Sequence, residues 1–230
     1  MPSADTSPTK PVSVRVWDTP IRLFHWLLVA LLGFSWWSGK QHDMEWHRLS
    51  GYSIFALLIF RIYWGVVGAR TARFAQFVRG PRALLAYARS LTGDGYAPKP
   101  GHNPIGGWSV VLILATLATM VIAGLFSVDV DGLESGPLAD YVSFEQGRLA
   151  AAIHHFVFNF LLLLVALHVL AVLFYLARLG QNLIGPMITG RRRAGDGEPI
   201  EELGGSAWKA LLGVALAGLI LFVTVRGFRL

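Results

Sequence analysis

Residues 153–168 read IHHFVFNFLLLLVALH and lie within an apolar run that covers residues 150–178. The run is longer than the about twenty residues with which a helix crosses a hydrocarbon layer about 30 Å thick. His154 and His168 are fourteen residues apart, so a helix brings them to nearly the same face, about 21 Å apart along its axis. This stretch predicts one membrane helix with two metal ligands at two depths.

The composition indicates the class of protein. Of the 230 residues, 54% are hydrophobic and only 15% are charged, which is typical of a small integral membrane protein. The chain contains no cysteine. This excludes disulfides, cysteine-ligated iron-sulfur clusters, thiolate zinc sites and covalent c-type haem attachment. A redox centre in this chain is therefore expected to use histidine or another ligand without a thiol.

Five apolar runs are long enough to span a bilayer, at residues 20–38, 49–68, 107–127, 150–178 and 207–225. Basic side chains cluster between the second and third runs and after the fourth, whereas the loop between the third and fourth runs is acidic. Because basic loops stay in the cytoplasm, the N-terminus is predicted to be cytoplasmic and the acidic loop to lie outside. Topology accounts for the net charge of +6, and no nucleic-acid partner is expected. The acidic residues are Asp129, Asp131, Glu134, Asp140 and Glu145.

This topology pairs four histidines across the bilayer. His25 and His168 are predicted to lie toward the cytoplasm, and His47 and His154 toward the outside. Ligands separated by about 21 Å along a helix cannot share one metal ion, and zinc or copper would need three or four ligands at one point. Two b-type haems, each held by two histidines, fit the spacing. His42 is the alternative to His47, and a haem-free transporter with four histidines is the alternative for the whole set.

Several short motifs surround these histidines. Together they resemble the bacterial cytochrome b561 and Ni,Fe-hydrogenase cytochrome b subunit superfamily over about residues 14–190. They read VWDTPIRLFHW (16–26), EWHRLSGY (45–52), FRIYWG (60–65), GHNPIGGW (101–108), IHH (153–155) and LH (167–168). The resemblance implies an all-α membrane protein, a four-helix transmembrane bundle that exchanges electrons between membrane quinone and another redox partner. It also implies two b haems, ligated by His25, His47, His154 and His168. The fifth run, a probable C-terminal transmembrane helix, is additional to this core.

Four further residues are candidates for contacts with the cofactor or with quinone. Arg61 lies inside a run, and no acidic residue of any run can pair it, so it is expected to bind a haem propionate or to reach the inner interface. His102 and Asn103 are expected to contact a propionate or a quinone head group, or to cap the third helix. His155 points away from the face of its neighbouring ligand, which leaves a propionate contact and a hydrogen bond to another helix as alternatives.

The chain is predicted to divide into a disordered cytoplasmic tail (1–13), a four-helix domain (14–190), a cytoplasmic linker (191–206) and an extra C-terminal helix (207–230). We predict a multi-pass dihaem cytochrome b of the bacterial inner membrane. It would transfer electrons between quinone and a periplasmic redox protein such as a c-type cytochrome. The alternatives are a stand-alone enzyme that oxidises superoxide and reduces quinone, and the cytochrome b subunit of a hydrogenase.

Overall fold

The computed structural model describes residues 13–91, 101–131, 134–193 and 204–228. Five of the described helices are long and apolar enough to cross a membrane, and they are α1, α2, α5, α6 and α8 of the following series. The helices are α1 (Thr19–Lys40), α2 (Met44–Val67), α3 (Phe74–Phe77), α4 (Pro81–Ser90), α5 (Pro104–Phe126), α6 (Phe144–Leu179), α7 (Ile184–Thr189) and α8 (Ala207–Val225). The predicted all-α membrane fold is confirmed.

Capping side chains at their first turns extend the long helices beyond the apolar runs that predicted them. Asp18 caps α1 and Asn103 caps α5 through their side chains, and Ser143 forms a capping box with Gln146 at the start of α6. Helix α6 contains 36 residues, which at 1.5 Å per residue is about 54 Å. It is therefore longer than a hydrocarbon layer of about 30 Å and extends beyond it.

The four long helices α1, α2, α5 and α6 pack as two joined pairs. Helix α1 packs on α2, α5 packs on α6, and contacts between α2 and α5 connect the pairs. Helix α8 packs on α2, where a Cβ atom on Gly213 would lie 2.7 Å from the ring of Tyr63. The fifth helix is thus attached to the bundle through α2. The shared core of the four helices consists of Phe24, Leu28, Ile54, Leu58, Leu117, Met120, Val121 and Leu161.

A two-stranded ribbon closes the end of the bundle at which α1 begins, here called the amino-terminal end. Strand β1 (Ser13–Arg15) pairs antiparallel with β2 (Arg191–Arg193), and the Gly190 carbonyl accepts hydrogen bonds from the backbone of Val16 and Trp17. Residue 13, which the predicted tail includes, and residues 191–193, which the predicted linker includes, take part in this ribbon. Residues 1–12, the rest of the predicted linker up to residue 203, and residues 229–230 lie outside the described residues.

The opposite end of the bundle carries the turn between α1 and α2 and the loop between α5 and α6. Arg48, on α2, forms an ion pair with Glu134 of the loop. The Tyr141 hydroxyl donates a hydrogen bond to the carbonyl of Gly227, which follows α8. These contacts tie α2 and the end of α8 to the acidic loop. That the amino-terminal end faces the cytoplasm stays a prediction from the charge pattern.

Candidate functional site

His47 and His154 face each other near the opposite end of the bundle. The ring centroids of these two residues, on α2 and α6, are 6.0 Å apart, and the ring planes cross at 80°. His47 Nδ1 lies 2.9 Å from the carbonyl oxygen of Ser35, and His154 Nδ1 lies 2.8 Å from that of Met120. A carbonyl oxygen only accepts hydrogen bonds, so each Nδ1 carries a proton and donates it. Each Nε2 is then the nitrogen with a free lone pair, as metal ligation requires.

This distance matches two imidazoles that bind one metal ion from opposite sides. With a metal-nitrogen distance of about 2.0 Å and about 1.2 Å from nitrogen to ring centre, the centroids of such a pair are separated by about 6.4 Å. Hydrogen bonds from Nδ1 to carbonyl oxygens are the support that ligating histidines usually have. Within the described ranges, no group of three His, Cys, Asp or Glu side chains comes together as a metal site. The donor set therefore fits a haem iron with two axial histidines.

His42 was the alternative to His47. It lies in the exposed turn between α1 and α2 and has a positive φ of 58°. The structure thus brings His47, and not His42, to face His154.

His25 and His168 form the second pair, toward the amino-terminal end. The two side chains, on α1 and α6, lie within range of a direct electrostatic interaction. His25 Nδ1 is buried and has no hydrogen-bond partner among the described residues. In contrast to the His47–His154 pair, the backbone does not anchor this ring through Nδ1.

His102 lies beside the His25–His168 pair, between two aromatic rings. Its ring centroid is 4.7 Å from that of Trp17 and 4.5 Å from that of Phe77, and its buried Nδ1 lacks a partner in the described part of the chain. Burial, together with the nearby positive charge of Arg61, lowers the pKa of His102 to about 3. His102 is therefore neutral at physiological pH and has one ring nitrogen available for a ligand.

Arg61 is buried in α2, with 3% of its surface exposed. Its guanidinium lies over the ring of Phe74, 4.6 Å from the centroid, and its buried Nη1 has no partner among residues that the structure describes. The guanidinium does not reach the surface, so the predicted alternative of a contact with the inner interface is not what the structure shows. A carboxylate such as a haem propionate would satisfy both Arg61 Nη1 and the free nitrogen of His102, and these two groups therefore fit a haem at this end.

Asp18 is a further residue of this site, which its sequence pattern does not single out. This residue precedes α1 and is buried, and its carboxylate accepts hydrogen bonds from Trp64 Nε1 at 2.8 Å and from the backbone N of Ile21 at 3.1 Å. Burial raises the pKa of the Asp18 carboxyl, and the Trp64 hydrogen bond opposes that rise. The negative charge of Asp18 attracts Arg61, so an acid just outside a span balances a base within one. An aspartate before an apolar run with proline in its first turn is a helix-start signal, but it does not reveal this partner.

Asn103 and His155 both have partners within the protein. Asn103 Oδ1 accepts a hydrogen bond from Gly106 N at 2.7 Å, and its Nδ2 donates to the Tyr175 hydroxyl at 2.9 Å. His155 is exposed, and its Nδ1 lies 3.1 Å from the carbonyl oxygen of Ala151. The cap that was one alternative for Asn103 is present. A contact of either residue with haem or quinone stays a prediction.

Comparison with known proteins identifies the family of the chain. Residues 16–190 match the protein family described as prokaryotic cytochrome b561. A curated relative, the probable Ni/Fe-hydrogenase B-type cytochrome subunit of Azotobacter chroococcum mcd 1, is 27% identical in an alignment that covers 83% of this chain and 92% of the relative. No solved structure matches the chain. The chain belongs to the prokaryotic cytochrome b561 family, and it is a multi-pass bacterial membrane cytochrome of the b type that functions in electron transfer.

Proposed function

We propose that this protein holds two b haems and carries electrons across the bacterial inner membrane, between quinone and a redox partner at the outer surface. One haem would be ligated by His47 and His154, and the other by His25 and His168. The observation that supports the proposal best is the His47–His154 pair, with centroids 6.0 Å apart and both Nδ1 atoms at carbonyl oxygens. When bound, haem supplies one-electron oxidation and reduction of its iron.

The protein contributes ligation, burial and charge. Each iron would be held by two histidines, a ligation that favours electron transfer over oxygen chemistry. His154 and His168 are fourteen positions apart, which would set the two centres about 21 Å apart along α6. Arg61 would donate a hydrogen bond from its guanidinium to a propionate of the haem at the amino-terminal end, and His102 would offer its free ring nitrogen to the same group. This arrangement supports electron passage along the membrane normal, with proton exchange of quinone at an interface.

The orientation of the chain follows from its charges. The amino-terminal end would face the cytoplasm, since Arg70, Arg73, Arg79, Arg82 and Arg89 lie between α2 and α5 near this end. The acidic loop between α5 and α6 would then face the periplasm. A c-type cytochrome or a similar protein would dock there. A hydrogenase is a second candidate partner, because the relative from Azotobacter chroococcum mcd 1 is named a probable subunit of a Ni/Fe-hydrogenase.

Haem content tests the dihaem arrangement. Purified protein is expected to contain two b haems per chain by pyridine haemochrome analysis, both low-spin. His47→Ala should remove the haem at one end only, and His168→Ala should remove the other. His42→Ala is the matched control and should retain both. One haem per chain, or equal depletion of both sites by either variant without unfolding, would contradict the proposal.

Reduction kinetics test the partner. Rapid haem oxidation or reduction by a quinone analogue is expected with the purified protein alone, whereas electron exchange at the other end should require a second redox protein. If superoxide alone reduces the haems and turnover with quinone follows, the chain is instead the stand-alone superoxide-oxidising enzyme. If only a hydrogenase with hydrogen reduces them, the partner is the hydrogenase.

A further inference from the structure

The two carbonyl groups that anchor His47 and His154 have the same local construction. In an α-helix, the carbonyl of residue i accepts the N–H of residue i+4, and the side chain at that position lies close to the carbonyl. Ser35 accepts the hydrogen bond from His47, and the residue four positions later is Gly39. Met120 accepts the hydrogen bond from His154, and the residue four positions later is Gly124. Both acceptors are thus followed, one turn later, by a residue without a side chain.

A side chain at either glycine would meet the histidine ring directly. A Cβ atom on Gly39 would lie 3.0 Å from Nδ1 of His47 and 3.4 Å from its Cε1. A Cβ atom on Gly124 would lie 3.1 Å from Nδ1 of His154 and 3.2 Å from its Cε1. Each contact is made on the atom that donates the hydrogen bond. A shift of the ring away from such a Cβ atom would disturb that hydrogen bond.

Backbone conformation does not explain these two glycines. Neither Gly39 nor Gly124 has a positive φ, and glycine inside a helix costs stability relative to alanine. Close packing is not a property of every glycine in the transmembrane helices either. A Cβ atom on Gly33 of α1 or on Gly51 of α2 would have nothing within 4 Å. Close contact with an imidazole distinguishes Gly39 and Gly124 from these neighbours.

We propose that Gly39 and Gly124 are positioning residues, which uncover the Ser35 and Met120 carbonyls so that His47 and His154 bind iron through Nε2. The proposal rests on the proposed function, because it assumes a haem between these rings. An imidazole that donates from Nδ1 to a carbonyl is a stronger electron donor to its metal, and it stabilises the oxidised iron. The two glycines therefore lower the reduction potential of this haem. At the other pair, one ring has no such support, since His25 Nδ1 lacks a partner in the part of the chain that the structure describes.

A graded substitution series tests the proposal. Gly39→Ala and Gly124→Ala displace the rings slightly, so an upward shift of one of the two midpoint potentials and a changed low-spin EPR signal are expected. Gly39→Leu and Gly124→Leu should lose half of the haem, with the helical content retained by circular dichroism. Gly33→Ala and Gly33→Leu, on the exposed face of α1, are the matched controls and should keep both haems and both midpoints.

A second experiment tests the same hydrogen bond by replacing His47 with an added ligand. In a His47→Gly variant supplied with excess haem, added imidazole should restore binding of the second haem and its low-spin spectrum at several-fold lower concentration than 1-methylimidazole, which has no N–H to donate to Ser35. In the His47→Gly and Gly39→Leu double variant, this preference should disappear. Equal rescue by the two ligands, or glycine variants that match the Gly33 controls in haem content and midpoints, would overturn the inference. A wild-type protein without two haems would instead overturn the proposed function on which it rests.

Discussion

Loss of the Asp18 side chain should destabilise this protein more than loss of any ordinary helix cap. The carboxylate accepts two hydrogen bonds, from the backbone N of Ile21 and from Trp64 Nε1. Removing a cap costs about 1 kcal/mol, and leaving a buried N–H without a partner costs a further 1–3 kcal/mol, roughly. Asp18→Ala should therefore lower the free energy of unfolding by about 2–4 kcal/mol. The loss of the charge that attracts Arg61 acts in the same direction.

Asp43 provides the matched control, because it caps α2 as Asp18 caps α1. Its carboxylate accepts a hydrogen bond from Trp46 N at 3.4 Å, and the residue is exposed. Asp43→Ala should cost about 0.5–1 kcal/mol, which is the cap contribution alone. Denaturant titrations in detergent micelles, followed by far-ultraviolet circular dichroism, would measure both variants. Equal destabilisation by the two substitutions would refute the assignment of Asp18 as a buried partner of Trp64 and Arg61.

Three further predictions concern charge and topology. Arg61→Leu, with both haems retained, should lower the midpoint potential of the haem at the amino-terminal end only, because a positive charge that disfavours the oxidised iron is removed; two unchanged midpoints in a redox titration would contradict this. The chain has no cysteine of its own, so single cysteines can report its topology. A thiol reagent applied from the periplasmic side should label Val130→Cys and leave Gln76→Cys unlabelled; the reverse pattern would show that the topology is the opposite of the predicted one. The folded protein keeps His102 neutral down to about pH 3, whereas in the unfolded chain this histidine binds a proton below about pH 6.5. The free energy of unfolding should therefore decrease as the pH falls through this window, by at most about 1.4 kcal/mol per pH unit. His102→Leu should flatten that dependence in unfolding titrations at different pH values.

The sequence predicted the helices well because their burial in a bilayer requires long apolar runs. It placed the ends less well. The run at residues 150–178 lies inside a helix that starts at Phe144, because the capping box of Ser143 and Gln146 adds a polar turn to it. Helical spacing and charge bias also predicted that His47 and His154 pair, and in the structure their ring centroids are 6.0 Å apart, with the ring planes at 80°.

What the sequence could not predict depends on contacts between distant positions. Asp18 and Trp64 are 46 residues apart, and no periodic pattern connects an aspartate before one helix with an indole near the end of the next. The ribbon between β1 and β2 joins the start of the chain to residues that follow α7, and three consecutive arginines do not predict a strand. The carbonyl oxygens of Ser35 and Met120 belong to the backbone, so residue types carry no direct sign of their role.

The two candidate centres differ in construction, and the difference predicts the order of their potentials. At the His47–His154 pair, both rings donate from Nδ1 to carbonyl oxygens, which stabilises oxidised iron. At the other pair, His25 Nδ1 has no partner within the described residues, and the buried guanidinium of Arg61 is nearby, which favours reduced iron.

We therefore expect the haem at the His47–His154 pair to have the lower midpoint, so that electrons pass spontaneously from this end to the amino-terminal end. With the acidic loop outside, that direction runs from an outer partner toward the cytoplasmic side. Redox titrations of His47→Ala and His168→Ala, each with a single remaining haem, would assign one midpoint to each centre. A higher midpoint at the His47–His154 pair would show that ligand anchoring and the Arg61 charge do not control the potentials, because both act in the same sense on the difference between the two haems.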